Sequence, residues 1–160
     1  GRGARGTGPR PGARRPTSAV GELLALEQGL GLADVATFMR FSANIERVRK
    51  DLVALLQDLR DAGRRVVGYG ATSRSATVTN YCGIGPDLVP FVCDSTPEKQ
   101  GLLTPGSHIP VRSPDYFAEP YPDYALLFAW NHAEEIMEKE YDFRAQGGQW
   151  ILYVPNVHIV

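Results

Sequence analysis

Arg65-Val66-Val67-Gly68-Tyr69-Gly70-Ala71-Thr72-Ser73-Arg74-Ser75-Ala76 is the stretch that decides how this chain folds. A short apolar run ends in a glycine pair, and small residues with a base then open a helix. That order predicts a strand feeding a tight turn, with the helix N-terminus aimed at a ligand. Glycine permits positive φ and a close backbone approach. The unpaired N–H groups and dipole of a helix start favour an anion such as phosphate. The letters make a partial G-x-G-x-x-G with Ser73 at the third glycine position. A strand-turn-helix unit that binds nothing would carry the same letters.

Upstream, Glu22–Leu30 predicts a short helix ended by Gly29 or Gly31. Phe38, Phe41, Ile45, Val48, Leu52, Leu55, Leu56 and Leu59 then recur at three- and four-residue steps, which predicts one long amphipathic helix over residues 35–62. Asp34 is placed to cap its start and Gly63 to follow its end. The other face carries Arg40, Glu46, Arg47, Lys50, Asp51, Asp58 and Arg60 and reads as solvated surface. So long an apolar stripe needs a sheet or a neighbouring domain to lie against.

Downstream, strand and helix alternate. Val66–Tyr69 is the first strand, short and apolar as a buried parallel strand is. Residues 73–82 are the crossover helix, and Pro90–Cys93 is a second strand ending at Asp94. Ser95–Pro114 reads as irregular, with Ile109-Pro110-Val111 a short strand. Tyr124–Ala129 is a third buried strand, a helix over 132–146 closes at Gly147-Gly148, and Trp150–Val154 is the last strand. Val157–Val160 reads as a tail. This alternation predicts an α/β domain with a doubly wound, mostly parallel sheet, preceded by the long helix.

With 160 residues the chain is one ordinary domain, 43% hydrophobic and 22% charged. The formal charge of −1 hides an asymmetry. Arg2, Arg5, Arg10, Arg14 and Arg15 lie in residues 1–20 with no acid, leaving 12 basic residues against 18 acidic in the rest. An acidic body argues against nucleic-acid binding. The Gly/Arg/Pro tail lacks apolar surface to offset chain entropy, and disorder is expected over residues 1–20. Its residues share GC-rich codons, which reads as mis-started or out-of-frame translation; a basic tail could instead contact RNA or a membrane. No apolar run approaches the ~20 residues of a membrane span and no signal-peptide centre is present, so a cytoplasmic protein without membrane contact is expected. Cys82 and Cys93 form no C-x-x-C pair and read as reduced, partly buried small hydrophobes. No spacing suits a metal.

In open parallel sheets, ligands bind beyond the carboxyl ends of the strands where strand order reverses. The residues there are Gly68-Tyr69-Gly70, Asp94, Trp130-Asn131-His132 and Pro155-Asn156. Asp94, roughly 20 residues past the glycine turn, suits a ribose hydroxyl pair or caps the turn that follows it. Arg74, in the first turn of the crossover helix, suits a phosphate or is a plain surface arginine. Asn131 is a crevice amide or an N-cap. His132, an imidazole at the crevice, is the one candidate acid or base, or an exposed first-turn histidine. No acid-plus-glycine turn of the kind that holds S-adenosylmethionine is present.

Six runs stand in one order: Gly68-Tyr69-Gly70-Ala71, Asn80-Tyr81-Cys82-Gly83-Ile84, Asp94–Gly101, Pro105–Val111, Pro122-Asp123-Tyr124 and Ala129-Trp130-Asn131. Together they resemble the C-terminal domain of the sugar C-methyltransferases of antibiotic deoxysugar pathways, over residues 22–160. The resemblance implies a Rossmann-like domain of a three-part enzyme, preceded by a zinc-binding segment and a middle domain that binds S-adenosylmethionine. It implies methylation of a ring carbon of a nucleotide-linked 4-keto sugar through an enolate, in a site between the middle and C-terminal domains. The cofactor and the base would then belong to the middle domain, missing here, and no cofactor is expected in this chain, whose partners are that domain and the nucleotide sugar. The substrate-binding candidates it implies are Gly68, Tyr69, Gly70, Ala71, Arg74, Asp94, Lys99, Trp130 and Asn131. Relatives often carry Lys where Arg74 stands, an exchange that keeps a phosphate contact. Catalytic silence of the isolated chain is the expectation. The rival readings are a stand-alone NAD or nucleotide module using Gly68–Ala71 and Asp94, and a structural domain that docks through the long helix.

Overall fold

The computed structural model describes residues 17–118 and 120–160. Most of the tail expected to be disordered lies outside them. The chain divides into two units, residues 1–44 and 45–160.

The first unit holds α1 (Ser18–Gly29) and the start of α2 (Val35–Asp61). α1 begins four residues ahead of the predicted Glu22 and buries none of its side chains. Between the helices Gly31 takes φ +64, and a Cβ there would sit 2.9 Å from Asp34 Oδ2. α2 covers the predicted length, but its apolar positions do not form one buried stripe. Leu52 and Leu56 are fully buried and Val48, Val53, Leu55 and Leu59 pack against them, whereas Phe38 and Phe41 are exposed. Those two fall in the first unit, where none of the described residues is buried.

The second unit is an α/β sandwich. Its strands are β1 (Val66–Tyr69), β2 (Val92–Cys93), β3 (Val111–Arg112), β4 (Tyr124–Leu127), β5 (Gln149–Leu152) and β6 (His158–Ile159), in the order β3-β2-β1-β4-β5-β6. All neighbours are parallel except β5 and β6. The chain therefore winds outward from β1 through β2 to β3, then returns to build β4, β5 and β6 on the other side. This is the doubly wound, Rossmann-like arrangement, and its reversal point lies between β1 and β4. The tail expected at Val157–Val160 is instead β6: Trp150 and Val160 exchange backbone hydrogen bonds of 2.9 and 3.0 Å. A strand there covers the edge β5 would otherwise leave unpaired; two residues are too few to show a period.

Strand alternation divides the interior. Val66 of β1 and Leu126 of β4 enter a cluster with Leu52, Leu56, Ile84, Phe128 and Tyr153. Val67, Ala125 and Leu127 enter a second cluster on the opposite face, with Phe117, Phe143 and Trp150. The first face is covered by α2 and by α3 (Ser73–Cys82), which matches the predicted crossover helix. The second is covered by α4 (Asp115–Ala118), α5 (Ala133–Lys139) and α6 (Tyr141–Ala145). α4 falls in a stretch with no predicted element and exists to seat Phe117, 1% exposed. The helix predicted over 132–146 is broken at Glu140, which leaves helical geometry at φ −96, ψ 39. Cys93 is buried and Cys82 half-buried, both free.

The Pro105–Val111 run is a clamped loop. Asn80 Nδ2 donates to Pro105 O at 2.8 Å, and the Ser107 hydroxyl bridges Thr79 Oγ1 and Thr104 Oγ1 at 3.0 and 2.8 Å. These bonds tie α3 to the segment leading into β3. Among the described residues no helix is long and apolar enough to cross a membrane.

Candidate functional site

At the tip of β1 the chain must turn sharply and start α3. Gly70 does so at φ +89, its N–H bonded to Cys93 O at 2.8 Å. Thr72 then caps the helix, its side chain accepting from Ser75 N at 3.3 Å. Gly68 serves a different purpose. It is buried inside β1, and a Cβ there would lie 2.8 Å from Val92 Cγ2 and 2.9 Å from Phe128 Cε2. Strand packing, not ligand approach, accounts for that glycine.

Beside this turn, the loop after β4 carries Trp130, Asn131 and His132 in one 3₁₀ turn. Arg74 Nη1 donates to Asn131 Oδ1 at 2.7 Å, and the guanidinium lies 5.7 Å from the Trp130 ring centre. Two loops on either side of the reversal point are thus tied by one arginine. A shallow cavity of about 190 Å³ opens there, lined by Ser73, Arg74, Thr77, Val78, Trp130 and Tyr153. Burial pushes the Tyr153 hydroxyl up to about 12, with Arg74 opposing; it stays protonated and donates to Phe128 O at 3.4 Å. Tyr153 was absent from the candidates read from sequence. Its signal was present, since it directly follows β5, the strand next to β4.

Other candidates are placed elsewhere. Tyr69 turns to the opposite face, 5.1 Å from the Phe117 ring and 5.3 Å from Trp150. Its hydroxyl donates to Glu140 Oε1 at 2.6 Å, and burial, then the Glu140 bond, drive its pKa far above the usual tyrosine value. Asp94 is 9% exposed. Its Oδ1 accepts from Thr96 N at 2.8 Å and its Oδ2 from Lys99 Nζ at 3.1 Å. Burial works to raise its pKa, but the Thr96 and Lys99 hydrogen bonds prevail and hold it below the ordinary carboxylate range. Asp94 and Lys99 therefore satisfy each other at the β2 tip. Ala71 packs against the first core cluster. His132 is exposed, its Nδ1 3.7 Å from Glu135 Oε2.

The arrangement brings together the glycine turn, Arg74, Trp130 and Asn131; it sends Tyr69 away and holds Asp94 and Lys99 as a pair. What it offers is a cation, an indole face and a helix start, the means to hold an anionic ligand.

A family model described as C-methyltransferase C-terminal domain matches residues 5–155, beginning inside the segment read as a tail. The chain is 39% identical over 142 residues to the C-methyltransferase NovU of Streptomyces niveus, a match covering 89% of this chain and 34% of that protein. The chain thus spans about a third of the length of the curated relative it matches.

Proposed function

The chain belongs to the C-methyltransferase C-terminal domain family, and from that premise we propose that it is the substrate-side part of an S-adenosylmethionine-dependent enzyme acting on a nucleotide-linked keto sugar. The Arg74–Asn131 bond at the strand-order reversal carries this reading. In a doubly wound sheet that reversal is where ligands sit, and here it presents a fixed guanidinium beside a helix N-terminus. Both favour a diphosphate. Arg74 positions the diphosphate, Trp130 gives the nucleotide sugar an apolar wall, and Asn131 fixes the Arg74 fork.

In this reading the methyl donor and the base that forms the enolate lie in parts of the enzyme outside these 160 residues. The chain by itself holds substrate without turning it over. His132, exposed and facing Glu135, is given no part in proton transfer. A stand-alone NAD module is the less favoured reading, because Asp94, the carboxylate a ribose diol would need, is 9% exposed and already accepts from Thr96 and Lys99.

Calorimetry with a nucleoside-diphosphate sugar tests the reading. Saturable binding that Arg74→Ala weakens at least tenfold supports it; unchanged affinity in that variant sinks it. A radiolabelled methyl-transfer assay of the chain alone is expected to show no turnover.

A further inference from the structure

The described part of the first unit, residues 17–44, leaves its large apolar side chains uncovered. α1 buries none of its residues, and its Leu23, Leu24 and Leu26 are each more than half exposed. The turn that follows and the start of α2 add Leu30, Val35, Phe38, Met39 and Phe41, between 58% and 73% exposed. At roughly 100 Å² apiece, about half of what one large side chain can bury, these residues present roughly 800 Å² of apolar surface. The largest apolar patch of an ordinary monomer is about 300–600 Å², whereas a stable dimer covers about 800 Å² on each partner. Against this surface the described residues of the unit set four charges, Glu22, Glu27, Asp34 and Arg40.

A helix as short as α1, 12 residues, is marginal in water without tertiary contacts, and one with apolar residues on most of its sides needs cover on more than one of them. α1 also shows where a second helix fits. Gly21, Ala25 and Gly29 recur at four-residue steps and so lie above one another on one side of the helix, with Leu24 and Leu26 flanking that seam. A Cβ on Gly21 or Gly29 would meet nothing within 4 Å. Glycine inside a helix weakens it, and no contact among the described residues calls for Gly21; a closely approaching helix does. We propose that this unit pairs with the same unit of a second copy of the chain, α1 crossing its own copy at Ala25 about a two-fold axis. The interface is isologous, each patch covering the same patch on the other copy. A second copy fits because symmetry supplies a matching seam of small residues, flanked by leucines, and because the exposed area equals what a dimer covers. Gly21 and Gly29 admit the other backbone, and Leu24 and Leu26 pack along its sides.

The test is sedimentation equilibrium of the 160-residue chain over a wide concentration range, using the wild type, Gly21→Leu and Leu24→Glu, with circular dichroism melts to confirm that each variant is folded. The wild type is expected to reach a plateau at twice its 17.5 kDa mass. Gly21→Leu separates a fitted seam from mere stickiness. It adds apolar surface and helix propensity and meets no neighbour in its own chain, yet it blocks the crossing and should weaken the dimer about tenfold or more. Leu24→Glu should weaken it at least as much, by placing a charge on the covered flank. A monomer at every concentration overturns the proposal, and is the result expected if another part of the enzyme covers this patch. So does a mass that climbs past two copies without a plateau. Tighter association in Gly21→Leu, or a dimer that ignores Leu24→Glu, places any pairing elsewhere and overturns it too.

Discussion

The Arg74 guanidinium and the Asn131 amide oxygen, 57 residues apart in the chain, meet at 2.7 Å. The bond joins the first turn of α3 to the loop after β4, one from each half of the doubly wound sheet. It is exposed, so its worth to the fold is small and its worth to a ligand is orientation. Asn131→Ala should therefore leave the melting temperature within a degree or two of wild type, as surface changes worth under about 0.5 kcal/mol do, while weakening nucleotide-sugar binding severalfold. Paired melting and calorimetry check it; a large loss of stability without loss of affinity would contradict the role.

Tyr69 offers the converse case. Its hydroxyl belongs to Glu140, on the sheet face opposite α3. Tyr69→Phe should destabilise the chain by about 1–3 kcal/mol, because among the described residues Glu140 then keeps only Lys139, at 3.5 Å. Nucleotide-sugar affinity should not move. Denaturant melts beside a binding isotherm measure both, and lost affinity at wild-type stability would return Tyr69 to the site.

Gly68→Ala probes close packing in β1. The added methyl would press on Val92 and Phe128 at 2.8 and 2.9 Å, and overpacking of this kind costs about 1–3 kcal/mol. Combining it with Val92→Ala should recover part of the loss. An additive double variant in urea denaturation would show that the two sites do not touch.

Asp94 makes stability depend on pH. Its folded pKa lies below the unfolded value, so its contribution is complete above the ordinary carboxylate range and disappears as pH falls through the folded pKa. Asp94→Asn should thus be less stable than wild type at pH 7, and the gap should close below about pH 4. A constant gap from pH 2 to 7 would show that the charge plays no part.

The sequence by itself determined the alternation of strands and helices and pointed to the candidate site. The apolar run into Gly68-Tyr69-Gly70, the crossover helix at 73–82 and the later buried strands are local patterns, and periodicity and turn chemistry are local in origin. They were enough to place Trp130 and Asn131 at a strand tip and Arg74 in the first turn of the crossover helix. Only the tertiary structure decided which strand tips adjoin, and with that which side chains share a cavity. Tyr69 and Arg74 are five residues apart yet serve opposite faces, because strand alternation sends one side chain through the sheet and the helix start holds the other above it. Asp94 bonds with Lys99 and Thr96 because a buried carboxylate takes the nearest donors. The β6 pairing joins residues 6 to 10 apart, the Arg112–Tyr116 stack residues 4 apart and the Tyr69–Glu140 bond residues 71 apart, and no single window of sequence shows which of them the fold will bring together.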